Sequence, residues 1–169
     1  AVLYGCTSAT LTHGPAFDRD LAERIRRASG AISITAAGAL VAAVKRLGVA
    51  RIGFASPYLG EINDQAVAFL AGEGIATVAR ADIGRALGNY GQGELTPDDV
   101  CDLALRADGP DVEAIVLSCT DMRAVETIDR LEKEMGKPVV TSNQAMVAAL
   151  CDTLNLPKPQ GYGRLFASV

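Results

Sequence analysis

The sequence is poor in the residues that build a metal centre or a disulfide scaffold. Its 169 residues include 1 His and 4 Cys. No Cys-x-x-Cys or His-x-x-x-His spacing occurs, so a zinc site has little from which to form. Four cysteines in apolar surroundings are also too sparse to staple a chain of this size, and a reducing, cytoplasmic compartment is the expectation. An excess of positive charge is missing too: 16 Lys+Arg face 20 Asp+Glu, for a net charge of −4. That balance speaks against nucleic acid or an anionic membrane as a partner. No apolar run approaches the length that crosses a bilayer. Gly88, Gly91 and Gly93 lack the spacing of a dinucleotide fingerprint and have no Lys-Ser/Thr, so no phosphate loop is read there. The chain does have apolar material: 49% of residues are hydrophobic and 21% charged. Global disorder is thereby excluded, and one domain or two small ones with a real core are expected.

Apolar runs bounded by turn signals alternate with helical periodicity along the whole chain. Strands are expected at Val2 to Tyr4, Ile32 to Thr35, Arg51 to Ala55, Ile75 to Ala81, Ala114 to Leu117 and Val139-Val140. Helices are expected at Ala16 to Ala28, Ala36 to Leu47, Glu61 to Ala71, Pro97 to Ala107, Arg123 to Met135 and Gln144 to Leu154. Thr96 is the expected N-cap of the helix that opens at Pro97. Gly84 to Thr96 reads as a polar loop or broken helix, with the character of a mobile flap. Such alternation means right-handed βαβ units, parallel sheet and helices covering both faces. The first residue is Ala, and Ala1-Val2-Leu3-Tyr4 already reads as a buried strand. A further N-terminal piece is therefore expected ahead of it.

A repeat runs through this pattern. Ile34 to Val44 aligns with Val140 to Leu150, Thr35 falling on Thr141. Upstream of each copy a strand is followed by a cysteine: Tyr4-Gly5-Cys6-Thr7-Ser8 in the first and Leu117-Ser118-Cys119-Thr120-Asp121 in the second. Ala-rich βα units do resemble one another by chance. Two related halves, each with a Cys-Thr at a strand's carboxyl end, explain more of the match and would set the two thiols across one cleft.

In open α/β sheets, ligands bind beyond the carboxyl ends of the strands. Cys6 and Cys119 both occupy that position, followed by small residues whose backbone N–H groups suit a thiolate or a carboxylate. Two thiols on one substrate carbon can remove and return a proton; alternatively, one adds to an activated double bond while the other handles the proton. Cys101 and Cys151 lie in expected helices and read as buried packing residues.

Gly5-Cys6-Thr7-Ser8, Leu117-Ser118-Cys119-Thr120-Asp121-Met122-Arg123 and Lys137 to Gln144, with its Ser142-Asn143-Gln144, resemble the maleate cis–trans isomerase and arylmalonate decarboxylase family of the aspartate/glutamate racemase superfamily. The resemblance implies an α/β fold of two doubly wound parallel-sheet lobes related by a pseudo-twofold axis. It also implies a cofactor-free site in which the two cysteines face each other. Cys6 then matches the first-lobe nucleophile or base, and Cys119 the partner acid/base. The family's decarboxylases keep only the second thiol, so the presence of both favours isomerase or racemase chemistry. Tyr58, in Ser56-Pro57-Tyr58, matches a tyrosine that hydrogen-bonds a substrate carboxylate. Asn89 resembles a carboxylate-binding asparagine, while Thr7, Ser8 and Thr120 supply backbone N–H and hydroxyl donors. Family members carry about two further βα units, on the order of 60 residues, before the first cysteine. The first lobe is accordingly expected to be incomplete at its N-terminus. The domain division that follows is residues 1–32 for a first-lobe segment, 33–141 for the second lobe, and 142–169 for a C-terminal helix and tail returning to the first lobe.

The expected activity is cofactor-independent cis–trans isomerisation of a small dicarboxylate such as maleate. Amino-acid racemisation or arylmalonate-type decarboxylation α to a carboxylate is the alternative, and a non-catalytic small-acid binding module is the second. The expected partner is a small carboxylate or dicarboxylate, with neither nucleic acid nor membrane, and a homo-oligomer is left open. Several charged features have plainer readings. His13 reads as a turn histidine, Arg24, Arg26 and Arg27 as a solvated helix face, and Asp98, Asp99 and Asp102 as charge at a helix start. The Pro157-Lys158-Pro159 tail reads as the end of the fold or an extended arm.

Overall fold

A computed structural model describes residues 1–88 and 90–167. In chain order it contains β1 (Val2–Tyr4), α1 (Thr7–Leu11), α2 (Gly14–Ser29), β2 (Ser33–Thr35), α3 (Ala36–Arg46), β3 (Arg51–Ser56), α4 (Gly60–Gly72) and β4 (Ala76–Asp82). There follow α5 (Gly91–Glu94), α6 (Pro97–Arg106), β5 (Ala114–Leu117), a 3₁₀ turn (Val125–Thr127), α7 (Ile128–Met135), β6 (Val139–Thr141), α8 (Ser142–Leu154) and α9 (Arg164–Ala167). The strands form two all-parallel sheets, β1-β2 and β4-β3-β5-β6. Among the described residues, no strand pairs with the other edge of β1. A division at residue 32 separates β1 from its hydrogen-bonded neighbour β2, so the small sheet places Ser33–Thr35 with the first segment rather than with the second lobe.

The larger sheet is buried on both faces. Ile52, Phe54, Val116 and Val140 point into one apolar cluster, and Ala55, Ile115, Leu117 and Val139 into the other. This two-residue alternation, apolar on both sides, is what a sheet covered by helices on each face requires. Gly53 is needed where β3 meets the end of α6, because a Cβ there would stand 2.0 Å from the Ala107 carbonyl oxygen.

The sequence repeat is a structural repeat. Tyr4 pairs with Thr35 at the end of β1-β2, and Leu117 pairs with Thr141 at the end of β5-β6. Both threonines cap the helix that follows: Thr35 Oγ1 accepts from the Gly38 N–H, and Thr141 Oγ1 from the Gln144 N–H, each at 3.1 Å. Alanines of the two capped helices, including Ala39 and Ala43 of α3 and Ala145 and Ala148 of α8, share one cluster and let the backbones approach closely. Cys6 and Cys119 each fall two residues after the paired strand end.

Three local expectations change, while the broken-helix reading of Gly84 to Thr96 holds. The residues after Cys6 form the five-residue helix α1, too short to show helical periodicity. The helix expected from Arg123 begins as a 3₁₀ turn and becomes α-helical only at Ile128. The Gly84 to Thr96 segment holds the short helix α5. The tail is no free arm: α9 buries Leu165 and Phe166 in the core, and the Glu132 carboxylate accepts from the Arg164 N–H at 3.0 Å.

Candidate active site

Both cysteines follow the carboxyl ends of parallel strands, Cys6 after β1 of the small sheet and Cys119 after the interior strand β5 of the large one, and their loops are tied together. Cys6 is exposed and occupies the N-cap of α1 in extended backbone. Its sulfur lies 3.7 Å from Ser8 Oγ. Cys119 is 3% exposed. The backbone N–H groups of Asp121 and Met122 point at its thiol. The Thr120 hydroxyl donates to the Gly5 carbonyl at 2.7 Å and so joins the second loop to the first.

Tyr58 closes the group. Its half-buried side chain lies in the neighbourhood of Cys119, Ser8 and Cys6, each of which acts on the proton affinity of its phenol. Burial, reinforced by Cys119, pushes the phenol well above the usual tyrosine range, so at neutral pH it keeps its proton and donates. Burial likewise pushes the Cys119 thiol up, against the lowering pull of Tyr58 and the two N–H groups. At neutral pH the site therefore holds one accessible thiol, one shielded and protonated thiol, and a protonated phenol.

The Tyr58 turn is held from below by a buried network that sequence reading overlooked. Asn63, in the first turn of α4, accepts from Ser56 Oγ at 2.5 Å and donates to Asp82 Oδ1 at 2.6 Å. Its amide also reaches the Tyr58 carbonyl at 3.4 Å, and the Tyr58 N–H donates to Ser56 Oγ at 3.2 Å. Asn63 lies in α4 and Ser56 ends β3, so the seven-residue spacing crosses from strand to helix and no single period links them.

Two expected donors are corrected. The Thr7 side chain is 1% exposed and donates to Ser142 Oγ at 3.0 Å, which takes it away from a substrate. The Thr120 hydroxyl is committed to Gly5. Each hydroxyl donates its proton to a protein acceptor; these side-chain bonds do not involve the backbone N–H groups expected as donors. Asn89 lies outside the described residues. Cys101 and Cys151 are buried in helices, in keeping with packing roles. His13 is exposed at the start of α2, its Nδ1 within 3.1 Å of both Thr12 Oγ1 and the Ala9 carbonyl. No helix among the described residues is long and apolar enough to cross a membrane.

The sequence profile of the arylmalonate decarboxylase family matches residues 1–166. An arylmalonate decarboxylase from Bordetella bronchiseptica is 31% identical over 168 residues, covering 95% of this chain and 68% of its own. A maleate isomerase from Nocardia farcinica is 29% identical over 171 residues, covering 97% of this chain and 68% of its own. Among solved structures, a Cys-to-Ser mutant of Nocardia farcinica maleate cis–trans isomerase with a covalently bound succinylcysteine intermediate superposes with a TM-score of 0.91 at 26% identity, over 98% of this chain and 70% of that one.

Proposed function

Since the chain belongs to the arylmalonate decarboxylase family, we propose that it serves as a cofactor-independent cis–trans isomerase of a small dicarboxylate, converting maleate to fumarate. The observation that carries this reading is that Cys6 and Cys119 follow equivalent strand ends in loops joined by the Thr120–Gly5 hydrogen bond, with Tyr58 in their neighbourhood. A decarboxylation needs one proton donor on one face; a second, accessible thiol beside it supplies a nucleophile. The succinylcysteine held by the Nocardia farcinica relative supports the same use of a cysteine.

In the proposed reaction the Cys6 thiolate adds to one alkene carbon of maleate. A sulfur–carbon bond forms, and the π pair moves onto the adjacent carboxylate as an enediolate. Tyr58 and backbone N–H groups hold that charge. The former double bond rotates, the electron pair returns, and the sulfur–carbon bond breaks to release fumarate and regenerate the thiolate. Cys119, kept protonated by burial, lends a proton to the enediolate carbon and takes it back, so no atom is gained or lost.

Incubation with maleate tests this by fumarate formation. Turnover is expected, with loss in Cys6→Ala. No turnover by this chain, or full turnover in Cys6→Ala, defeats the proposal. The 31% identity to a decarboxylase favours a second reading, chemistry α to a carboxylate. Carbon dioxide release from an arylmalonate, or solvent deuterium entering Cα of a chiral acid, would establish it instead.

A further inference from the structure

Ser142 and Asn143 are consecutive residues in the first turn of α8, and neither takes part in the reaction proposed above. Each holds the residue that follows one of the two cysteines. Ser142 Oγ accepts from Thr7 Oγ1 at 3.0 Å, one residue past Cys6. Asn143 Nδ2 donates to the Thr120 carbonyl at 2.9 Å, one residue past Cys119. Thr120 completes the circuit through its hydroxyl bond to Gly5, one residue before Cys6.

The helix that carries the pair has little freedom to shift. Thr141 and Gln144 close a capping box at its start. The preceding strand β6 is hydrogen-bonded to β5, which leads into Cys119. Ser142 and Thr7 are buried, so water does not replace their bond when it is lost.

The internal repeat separates this arrangement from the needs of the fold. At the positions matching Ser142 and Asn143, the first copy has Ala36 and Ala37. That copy still forms a capped helix in the same relation to its strand. A βα unit of this kind therefore forms with no polar side chain in its first helical turn. The polar pair occurs only in the copy whose helix start reaches both cysteine loops.

We propose that Ser142 and Asn143 are positioning residues that set the separation of the Cys6 and Cys119 sulfurs; the inference rests on the two-thiol reading above. Their Cα atoms are about 3.8 Å apart on one rigid turn, as in any trans peptide. Both thiol loops are thus referenced to a single short element rather than to two separate sheets. The arrangement matters because a displacement of roughly 1 Å in a reacting group costs about 100-fold in rate.

The test measures the thiol pair directly, without relying on turnover. In a Cys101→Ala, Cys151→Ala background, the only thiols left are Cys6 and Cys119. Dibromobimane becomes fluorescent when both its arms have alkylated thiols, and iodoacetamide reports each thiol singly. Cross-linking is expected to slow about tenfold in Ser142→Ala and in Asn143→Asp, the effect of losing one hydrogen bond. Single alkylation of Cys6 should stay near that of the parent, the melting temperature should fall by only a few degrees as one hydrogen bond is lost, and Ser142→Thr should restore both cross-linking and melting. Maleate turnover should fall roughly 10- to 100-fold in kcat with little change in KM. Cross-linking rates within twofold of the parent in both variants would overturn the positioning role. So would a parent that does not cross-link, or variants that melt early and are not rescued by Ser142→Thr. A parent that cross-links with the expected variant pattern yet leaves maleate unchanged removes the isomerase reading alone and retains the positioning.

Discussion

The hydroxyl of Thr120 donates to the carbonyl of Gly5 across 115 residues of sequence. Thr120 follows the cysteine of the larger sheet and Gly5 precedes the cysteine of the smaller one. One hydrogen bond therefore bridges two loops that belong to different sheets. Thr120→Val keeps the shape and removes the donor. Water can reach the exposed bond, so denaturant unfolding should register a loss of about 1 kcal/mol or less. Maleate turnover should drop about tenfold, which fumarate production measures directly.

The two thiols should differ in reactivity. Cys6 is exposed and Cys119 is not, so iodoacetamide should label Cys6 first, as peptide mapping would record. Because burial raises the Cys119 thiol, its labelling should climb only at pH above the ordinary thiol range. A donor to a thiolate favours the charged form, so Tyr58→Phe should move the Cys119 profile further toward alkaline pH. Labelling of Cys119 at pH 8 should slow by roughly threefold to tenfold.

Asn63 is fully buried and satisfies Ser56 and Asp82 at once. Asn63→Ala strands both partners and should cost about 2 to 4 kcal/mol in urea unfolding. Asn63→Asp places a second carboxylate against Asp82, so its penalty should be larger at pH 8 than at pH 5, where one proton can be shared.

Glu132 acts as a latch for the tail. Its carboxylate accepts from the N–H groups of Val139 and Arg164, both at 3.0 Å. Glu132→Ala should release the segment that carries α9 and cost about 2 to 4 kcal/mol. Limited proteolysis near Gly161 should then precede global unfolding; an intact tail in the variant would contradict the latch.

Asp18 is 6% exposed, and its Oδ1 has no protein partner. Burial, opposed in part by the Thr35 hydroxyl, raises its carboxyl above the ordinary value of 3.8. The ionised form is therefore disfavoured in the folded state. Its penalty is full above the raised folded value, shrinks as pH falls through that value, and vanishes below about the unfolded one. Asp18→Asn should consequently stabilise the protein at pH 8 by about 1 kcal/mol and confer little by pH 4, as urea midpoints would show.

Much of the architecture could be read from neighbouring residues. Helix starts at Pro97 and after Thr35 and Thr141 are encoded within four positions, because a capping side chain bonds its own first turn. The cysteines after two apolar strands, and the repeat that matches them, follow from the strand–helix alternation that also dictates parallel sheet. The elements that escaped were α1, with five residues, and α9, with four, both too short for a 3.6-residue period to register.

The chain's local pattern settled that two thiols would leave two parallel sheets at equivalent places. Their surroundings depended on the packed fold. Thr7 offers the same hydroxyl in sequence whether it faces a substrate or Ser142, 135 residues away. Asn63 and Asp82 join only because α4 lies against β4, and Cys119 becomes shielded only once its apolar cluster has packed. Spacing along a chain specifies which side chains share a face of one element. Which hydroxyl is already engaged, and which thiol keeps its proton, are set by groups brought from distant segments, and desolvation exists only after those segments have packed.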